Sequence, residues 1–345
     1  MQRGYLKIVY KSALLLLPLL ALFVFYIITD PFKVLYRYDS YFISGKAPIV
    51  ILNKDHVSTE TFVQNYPKYQ YDSYIFGNSR SMFYEIKDWA PYIHSEKCYH
   101  FDAYKESLLG IYLKLKLLQQ KQVIMRNALF VVDTNVLEQT EDSYQEANLY
   151  MKDPLLTGSN KLFFQYQFVK AFFDGRFCLS YLDYKIQGKV SPFVHKLDVF
   201  ADVPISYNVV SNEWRATVTE HLIDSVGDAY YNDKKNGFVI DSIKTRYSIP
   251  VIYAQQKQLL QKIHAMLMHD STYYKIVISP HYLQNKINPA DLAYLQQLFG
   301  KENVFDFSGK NAITEDKHNY YDLGHYRPNA AKRIMSVIYS RQTGL

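Results

Sequence analysis

The sequence predicts an α/β fold, with a central parallel sheet and helices on both of its faces. Short apolar runs, rich in β-branched and aromatic residues, alternate along the chain with stretches of helical apolar spacing. Strands that alternate with helices form βαβ units, and such units build parallel sheets. The chain has 345 residues, of which 48% are hydrophobic, so it can form one large domain or two ordinary ones with a substantial core.

Five strands and several helices follow from these patterns. The predicted strands are residues 74–77, 99–102, 128–133, 275–280 and 303–306. Helical spacing follows the second strand at 108–118 and precedes the fourth around 255–268, and a closing helix is expected to begin near Pro328. The long interval at about 137–249 is rich in Tyr and Phe and has no repeat. It is therefore predicted to be an insertion or cap on the sheet that carries substrate specificity.

The N-terminal segment predicts a membrane anchor. Residues 12–28 carry no charge, and about 17 residues at ~1.5 Å each give roughly 26 Å, the short end of what spans a bilayer. Arg3, Lys7 and Lys11 precede this run, which places the N-terminus in the cytoplasm. A cleaved signal peptide is the alternative, although the run is long for one and does not end in small residues. The predicted organisation at the cytoplasmic membrane is a cytoplasmic N-terminus at 1–11, a transmembrane helix at 12–29, a juxtamembrane segment at 30–70 and an extracytoplasmic domain at 71–345.

Charge and cysteine content exclude several classes of protein. The net charge of +6 is mild, and Lys and Arg are scattered among acidic residues, so nucleic acid is not an expected partner. The 13 Gly and 12 Pro exclude collagen-like and low-complexity chains. Cys98 and Cys178 fit neither a disulfide framework nor a cysteine-based zinc site, but the sequence leaves open whether they form one bridge.

Polar side chains follow the predicted strands, at the edge where open α/β sheets bind ligands. They are Asn78, Ser79, Asp102, Asp133, Asn135, His281, Asp322 and His325. A serine that attacks an acyl carbon needs a base for its proton, and the base needs a carboxylate that fixes its tautomer. Asp322 lies three residues before His325, so one turn can present both to Ser79. Gly77 permits a tight turn that leaves backbone N–H groups near the Ser79 Oγ, where they can hold an oxyanion.

Each of these signals has a structural explanation when it is taken alone. A serine after a strand is commonly a helix N-cap, and Asp322 can simply satisfy His325 in a loop before a helix. The chain order and the local contexts together favour a catalytic serine. His318 lies four and seven positions before these two residues, a spacing that resembles a metal-binding helix face. Gly324 and Pro328 argue against a regular helix there, so no metal site is expected.

Two motifs resemble those of the SGNH/GDSL hydrolase superfamily. One is Gly-Asn-Ser at 77–79, just after the first strand, and the other is Asp-x-x-His at 322–325, before the last helix. The resemblance extends from about Asp72 to Ser340. Within the superfamily the chain is most similar to membrane-anchored members that modify envelope polymers. These include the alginate O-acetylation proteins and the D-alanyl transfer protein of teichoic acid synthesis. The resemblance implies a flavodoxin-like fold of three layers.

The resemblance also implies roles for individual residues and partners. Ser79 would be the nucleophile, with its backbone N–H as one oxyanion donor, His325 the general base and Asp322 the acid that orients the base. The expected substrate is an O-acylated envelope or exported polysaccharide, and no metal or organic cofactor is required. A transferase would receive activated acyl groups from an integral-membrane acyltransferase.

The middle of the chain departs from the superfamily pattern. The superfamily has a glycine after the second strand, whose N–H helps to hold the oxyanion, whereas residues 101–107 contain none. Asp133 replaces a glycine two residues before Asn135, which can still supply an amide donor. Arg80 is a candidate contact for an anionic substrate group, and His281 is a candidate for the pocket wall. The sequence favours a membrane-anchored serine acyltransferase or esterase, and the alternative is a catalytically inert subunit of the same fold that binds or assembles polysaccharide.

Overall fold

A five-stranded parallel sheet forms the centre of the protein. The computed structural model describes residues 2–142, 150–191, 200–201, 203–238, 244 and 246–340. The strands of the central sheet are β1 Ser73–Gly77, β2 Cys98–His100, β3 Asn127–Val132, β4 Tyr273–Ile278 and β5 Val304–Asp306. Their order is β5-β4-β3-β1-β2, all pairs are parallel, and this order recurs in doubly wound α/β sheets. The predicted α/β fold with a central parallel sheet is confirmed.

Helices connect the strands and cover the sheet. In chain order they are α1 Gln2–Thr29, α2 Lys54–Tyr69, α3 Ile86–Ile93, α4 Leu108–Gln120, α5 Thr134–Glu138, α6 Pro154–Thr157, α7 Lys161–Phe172, α8 Gly175–Gln187, α9 Thr217–Val226, α10 Asp228–Asn232, α11 Ala254–His269, α12 Pro289–Phe299 and α13 Pro328–Ser340. Short 3₁₀ helices occupy Ser79–Phe83, Lys234–Asn236 and Lys317–Asn319. Short strand pairs outside the central sheet join Ile49–Val50 to Phe200–Ala201, Arg246–Tyr247 to Asn285–Lys286, and Ser206–Asn208 to Glu213–Arg215. The predicted helices at 108–118, 255–268 and from Pro328 are α4, α11 and α13.

Alternate residues of each central strand face opposite layers of the fold. In β1, the side chains of Tyr74 and Phe76 join one hydrophobic cluster with α2, α4, α11 and α12. Ile75, between them, joins a second cluster with α3 and α13. In β3 the residues Ala128 and Leu129 divide between the same two clusters. Because a strand has a side-chain period of two, both faces of the sheet are buried under helices, and the chain forms three layers.

The register of the sheet brings the carboxyl ends of three strands together. Gly77 at the end of β1 pairs with Val131 of β3, and Val132 pairs with Ile278 at the end of β4. The residues that follow these strands therefore lie along one edge of the sheet, which is where the sequence predicts the site.

The segment at 30–70, predicted to lead from the membrane to the domain, contains α2. Phe62 of α2 is completely buried and stacks on Phe101, with the ring centroids 5.1 Å apart. Since its neighbours in the cluster belong to the sheet and to α4, this part of the segment is integral to the core.

The interval at 137–249 carries α6 to α10, and part of it packs against the end of α1. The rings of Tyr26 and Phe172 lie 5.0 Å apart, and Phe32 stacks on Phe177 at 4.7 Å. Some residues of the interval lie outside the described residues, namely 143–149, 192–199, 202, 239–243 and 245. The same holds for 341–345 of the predicted domain. Within the described residues the insertion consists of helices and short strands that reach both faces of the sheet, since Leu156 joins one of the two sheet clusters and Ile223 the other.

The N-terminal helix α1 is longer than the anchor predicted at 12–29. Leu14, Leu19 and Ile28 are exposed, whereas Tyr26 is buried against α7. Among the residues that the structure describes, no helix combines the length and the apolar character needed to cross a membrane. The predicted transmembrane helix is therefore not supported.

The two cysteines are not bridged. Cys98 and Cys178 are free, buried thiols that belong to separate hydrophobic clusters. Burial, with a further contribution from nearby carboxylates such as Asp72, raises the pKa of the Cys98 thiol to about 12. Both thiols therefore act as small apolar core side chains.

Candidate active site

A sharp turn after β1 presents Ser79. Gly77 has a φ of +151°, and a Cβ atom built on it would overlap the carbonyl oxygen of Val131 and lie 3.0 Å from the Ser81 Cβ. Only glycine therefore fits between β1 and the 3₁₀ helix that follows. The Asn78 side chain caps this helix by accepting a hydrogen bond of 3.1 Å from the Arg80 N–H. Ser79 is the first residue of the 3₁₀ helix, where backbone N–H groups have no acceptor within the helix.

A second turn, just before α13, presents Asp322 and His325. The Asp322 carboxylate accepts hydrogen bonds from the N–H groups of Gly324 at 2.7 Å and His325 at 2.9 Å. Tyr320 and Tyr326 pair across the turn, and both are completely buried. The flanking tyrosines therefore anchor the turn in the core, as the sequence predicts, and leave the imidazole at its tip.

The two turns bring Ser79, His325 and Asp322 into one chain of contacts. The Ser79 Oγ lies 2.8 Å from the His325 Nε2, and the His325 Nδ1 lies 2.9 Å from one Asp322 carboxylate oxygen and 3.1 Å from the other. Because an ionised carboxylate only accepts, the proton of the neutral imidazole belongs on Nδ1. The Nε2 lone pair is then directed at the serine hydroxyl, which is the arrangement that nucleophilic acyl chemistry requires.

The electrostatics of Asp322 favour its ionised form. Burial raises the pKa of this carboxyl, but the hydrogen bond and the charge of His325, together with two backbone N–H groups, outweigh burial and lower it below the usual value. The carboxylate therefore remains charged at neutral pH and can stabilise an imidazolium formed at His325.

The carboxylate of Asp133, directly after β3, is engaged by neighbouring side chains. It forms an ion pair with Arg80, and it accepts a hydrogen bond of 2.7 Å from the Asn78 side-chain amide. Its other oxygen caps α5 through the Val136 N–H at 2.9 Å. The carboxylate is therefore compensated and does not face the serine as a bare negative charge.

Arg80 joins the two turns of the site. Its Nε donates to the Gly324 carbonyl at 2.7 Å, while its guanidinium is paired with Asp133. Arg80 therefore holds the Asp322–His325 turn against the 3₁₀ helix. The predicted contact with an anionic substrate group stays a prediction, since these protein partners already engage the guanidinium.

Two groups are available to stabilise an oxyanion. The first is the Ser79 backbone N–H, at the start of its 3₁₀ helix. The second is Asn135 in the first turn of α5, which is exposed and lines a polar cavity together with Ser79. The N–H of Ala103, after β2, instead donates to the Gly77 carbonyl at 3.2 Å. The Ala103 N–H is therefore already engaged within the backbone.

His281 and Asp102 contribute to the surroundings of the site. The His281 Nδ1 accepts a hydrogen bond of 3.1 Å from the Leu283 N–H, and burial, followed by the charge of Arg80, lowers the pKa of His281 to about 4. His281 is therefore neutral and lines a cavity of about 360 Å³ beside Arg80. Asp102 is fully buried and contacts His100 at 2.9 Å, so it lies beneath the site and not on its surface.

Cavities of opposite character meet at Ser79. One has a volume of about 630 Å³, is walled largely by apolar side chains such as Phe83 and Trp214, and also contains His325. The other, of about 710 Å³, is polar and includes Asn135. The wall residue Trp214 comes from the predicted insertion. The sequence predicts that the insertion carries substrate specificity, but it does not single out Trp214. One aromatic residue is not distinctive in an interval that is rich in Tyr and Phe.

The metal-like spacing of His318 does not produce a shared site with His325. His318 Nδ1 lies 2.7 Å from Asp316 and its Nε2 lies 2.7 Å from Asp228, whereas the His325 ring is engaged by Ser79 and Asp322. The carboxylate contacts raise the pKa of His318, and the largest contribution comes from Asp228. His318 thus belongs to a surface ion-pair cluster.

The chain matches no known protein-family model, and no curated protein is significantly similar to it. The chemistry of this site therefore has to be argued from its geometry. A hydroxyl, an imidazole and a carboxylate in hydrogen-bond sequence, beside a backbone N–H and an apolar cavity, are the elements of covalent acyl transfer.

Proposed function

We propose that the protein is a serine acyltransferase or esterase of the SGNH type that acts on O-acyl groups of an envelope or exported polysaccharide. The observation that carries the proposal is the contact of 2.8 Å between the Ser79 Oγ and the His325 Nε2, with Asp322 on the opposite ring nitrogen. A serine that serves only as a helix cap has no need of an imidazole partner that is itself oriented by a carboxylate.

The reaction proceeds through an acyl-enzyme. The Ser79 Oγ attacks the acyl carbon while His325 takes the hydroxyl proton, and Asp322 stabilises the imidazolium. Collapse of the tetrahedral intermediate breaks the bond to the leaving alcohol or other carrier, which receives the proton from His325. A glycan hydroxyl or water then attacks the acyl-serine, and His325 again moves the proton. The acyl group leaves Ser79 either as a new ester or as a carboxylic acid.

The oxyanion is stabilised by the Ser79 N–H and the Asn135 side-chain amide. Both groups border the polar cavity. With no glycine after β2, the site has fewer preorganised donors than the superfamily pattern, and each donor typically contributes about 100–1,000-fold in rate. We therefore expect slow turnover of simple esters by the isolated protein.

The two cavities suggest where different parts of the substrate bind. The cavity of about 630 Å³ fits the hydrocarbon part of an acyl group, because apolar side chains such as Phe83 and Trp214 form most of its wall. The polar cavity of about 710 Å³ offers Asn135, Gln139 and other hydrogen-bonding side chains, as hydroxyl-rich glycans require. Ser79 borders both, so we expect the reacting ester to lie at their junction.

The proposed location is the outer face of the cytoplasmic membrane, with α1 as the attachment. Support comes from the uncharged run at 12–28 and from exposed apolar side chains such as Leu14, Leu19 and Ile28. A transferase in this position would receive its acyl group from an integral-membrane acyltransferase. Membrane flotation of the full chain tests the location, and recovery of the protein only in the aqueous fraction would exclude this part of the proposal.

The test of the activity compares matched serine variants. Release of carboxylic acid from acylated polysaccharide and from aryl esters is measured for the wild type, Ser79→Ala and Ser336→Ala. Ser336 is an exposed serine on α13 that lines neither of the two cavities at Ser79, and it serves as the control. We expect turnover to be lost in Ser79→Ala and kept in Ser336→Ala. Equal turnover in all three proteins would contradict the assignment of the nucleophile.

A second candidate is an inert binding subunit, favoured by the engaged Ala103 N–H. It predicts that polysaccharide binding persists, without any acyl turnover, in the wild type and in Ser79→Ala, His325→Ala and Asp322→Ala alike. Measured binding together with undetectable turnover would select it over the enzyme.

A further inference from the structure

A second cluster of functional side chains lies on α2 and is separate from the Ser79 site. His56 and Glu60 are four residues apart on this helix, so they share one face of it. Asp153, the residue that caps α6, comes close to both. One potential ligand atom from each of the three residues lies within 4.8 Å of the others. Their exposed fractions are 5%, 7% and 1% for His56, Glu60 and Asp153.

This cluster contains buried polar atoms that lack hydrogen-bond partners. Among the described residues, these atoms include the His56 Nε2, the Glu60 Oε2 and the hydroxyl of the neighbouring Tyr41. Buried polar groups in folded proteins nearly always have a partner, because an unsatisfied group keeps its full desolvation penalty. Several such atoms in one place indicate that a bound species is needed to satisfy them.

The charge of the cluster specifies a cation. Glu60 and Asp153 contribute two negative charges when ionised. The Nε of Arg37, whose side chain is 72% exposed, lies 3.6 Å from the Glu60 Oε2, an ion pair at the rim of the cluster that is too long for a hydrogen bond. The Tyr41 ring meets the His56 ring edge-on, with the ring centroids 5.7 Å apart, so Tyr41 lies against the cluster.

We propose that His56, Glu60 and Asp153 bind a divalent transition-metal ion of the Zn²⁺ class. One imidazole and two carboxylates are a donor set that Zn²⁺ accepts, whereas Mg²⁺ and Ca²⁺ prefer oxygen ligands alone. The His56 Nδ1 hydrogen-bonds to the Asp153 Oδ2 at 2.5 Å, which fixes the imidazole and leaves its unpartnered Nε2 to bind the ion. The ion neutralises the two carboxylates, and Tyr41 or a water molecule completes its coordination.

The metal has a structural role that does not depend on the proposed catalysis. It fastens α2 to the segment around Asp153. The adjacent Lys152 pairs with Glu106 at 2.6 Å and with Asp55 at 3.3 Å, and it lines the polar cavity beside Ser79. Binding of the ion therefore holds one wall of that cavity in place.

Metal binding is tested on the full-length chain in detergent, first stripped with a chelator. Equilibrium dialysis against Zn²⁺, with the metal measured by mass spectrometry, gives the stoichiometry for the wild type, Glu60→Gln, Asp153→Asn and His318→Ala. His318 is the matched control, because it also contacts two carboxylates but lies on the surface. We expect about one tightly bound equivalent in the wild type and in His318→Ala. The Glu60→Gln and Asp153→Asn proteins should bind it at least about 100-fold more weakly, because each lacks a ligand.

The wild-type stoichiometry alone can overturn the proposal. If the stripped wild type takes up no tightly bound Zn²⁺, the unpartnered atoms are satisfied by water and the metal site does not exist. Uptake that is lost in His318→Ala but kept in both ligand variants would assign the ion to the surface cluster and equally overturn it. Ester turnover and fluorophosphonate labelling of Ser79 are measured on the same samples, so failure of the metal proposal is distinguished from failure of the catalytic one.

Discussion

Arg80 and Asp133, 53 residues apart in the sequence, form an ion pair directly beside Ser79. Both side chains are nearly buried, with 12% and 11% exposed. The pair compensates the negative charge of the Asp133 carboxylate at the edge of the site. Since Arg80 also donates to the Gly324 carbonyl, it fixes the turn that carries His325. The same arginine therefore maintains both the electrostatics and the geometry of the site.

Replacing Arg80 should harm stability and activity together. In Arg80→Ala the Asp133 carboxylate stays buried without its cation, and breaking such a pair typically costs about 3–5 kcal/mol. The double variant Arg80→Ala/Asp133→Asn removes the uncompensated charge and should recover much of that loss. Urea unfolding of the single and double variants gives the coupling energy. If the double variant is no more stable than Arg80→Ala, the pair does not have this compensating role.

Gly77 is expected to tolerate no side chain. Gly77→Ala combines an unfavourable φ with overlap against the Val131 carbonyl, and such overpacking costs about 1–3 kcal/mol beyond the backbone strain. Gly158→Ala is the matched control, because Gly158 also has a positive φ but faces open space. It should lose only about 1 kcal/mol. The free energies of unfolding of the two variants are compared with that of the wild type. Equal losses of stability in both variants would show that the turn at Gly77 can relax.

The stability of the fold should depend on pH through His281. Its folded-state pKa of about 4 lies below the unfolded value of about 6.5, so between these values the unfolded chain binds the extra proton. Stability therefore falls as the pH drops from about 6.5 to 4, by at most about 1.4 kcal/mol per pH unit from this residue. His281→Asn keeps an acceptor for the Leu283 N–H but cannot titrate, and should show a shallower slope. The dependence is measured from the urea unfolding midpoints of the wild type and His281→Asn at pH 4.5, 5.5 and 6.5. If the midpoints of the two proteins change equally with pH, His281 does not have this role.

The apolar cavity should set the preferred length of the acyl group. Ala216 is half-buried in its wall, so Ala216→Phe reduces the volume beside Ser79 without adding charge. We expect kcat/KM for long-chain aryl esters to fall about 10-fold or more relative to acetyl esters, on the scale of one or two excluded methylene groups. Ala290→Phe, at an exposed position on α12, is the control. An unchanged ratio of long-chain to acetyl rates in Ala216→Phe would show that this cavity does not bind the acyl group.

The central sheet could be predicted because its strands are short apolar runs separated by helices. The placement of Ser79, Asp133 and His281 at one edge then follows from the parallel direction of the strands. By contrast, α2 was not recognised, because its buried residues include Lys54 and Asp55. A helix that buries charged side chains has no apolar stripe, and the buried ion pairs that satisfy them are visible only in three dimensions.

The interactions that complete the site also depend on contacts between distant residues. The pairing of Arg80 with Asp133 joins two loops, and no local pattern at either residue indicates it. Trp214 reaches the apolar cavity from the insertion, again without a local signal. The cluster of His56 with Asp153 joins residues 97 positions apart, so no local sequence pattern indicates it. The sequence predicted that Ser79 would meet His325 and Asp322, but not that Arg80 would pair with Asp133.

The most direct test of the central claim is fluorophosphonate labelling of the full-length chain, with the modified residue located by peptide mass spectrometry. The probe reacts with a serine whose hydroxyl is activated by a base, so the contact between Ser79 and His325 predicts a single adduct on Ser79. The adduct should be absent in Ser79→Ala, strongly reduced in His325→Gln and unchanged in Ser336→Ala. A folded wild-type protein that gives no adduct, or an adduct on another serine, would contradict the account.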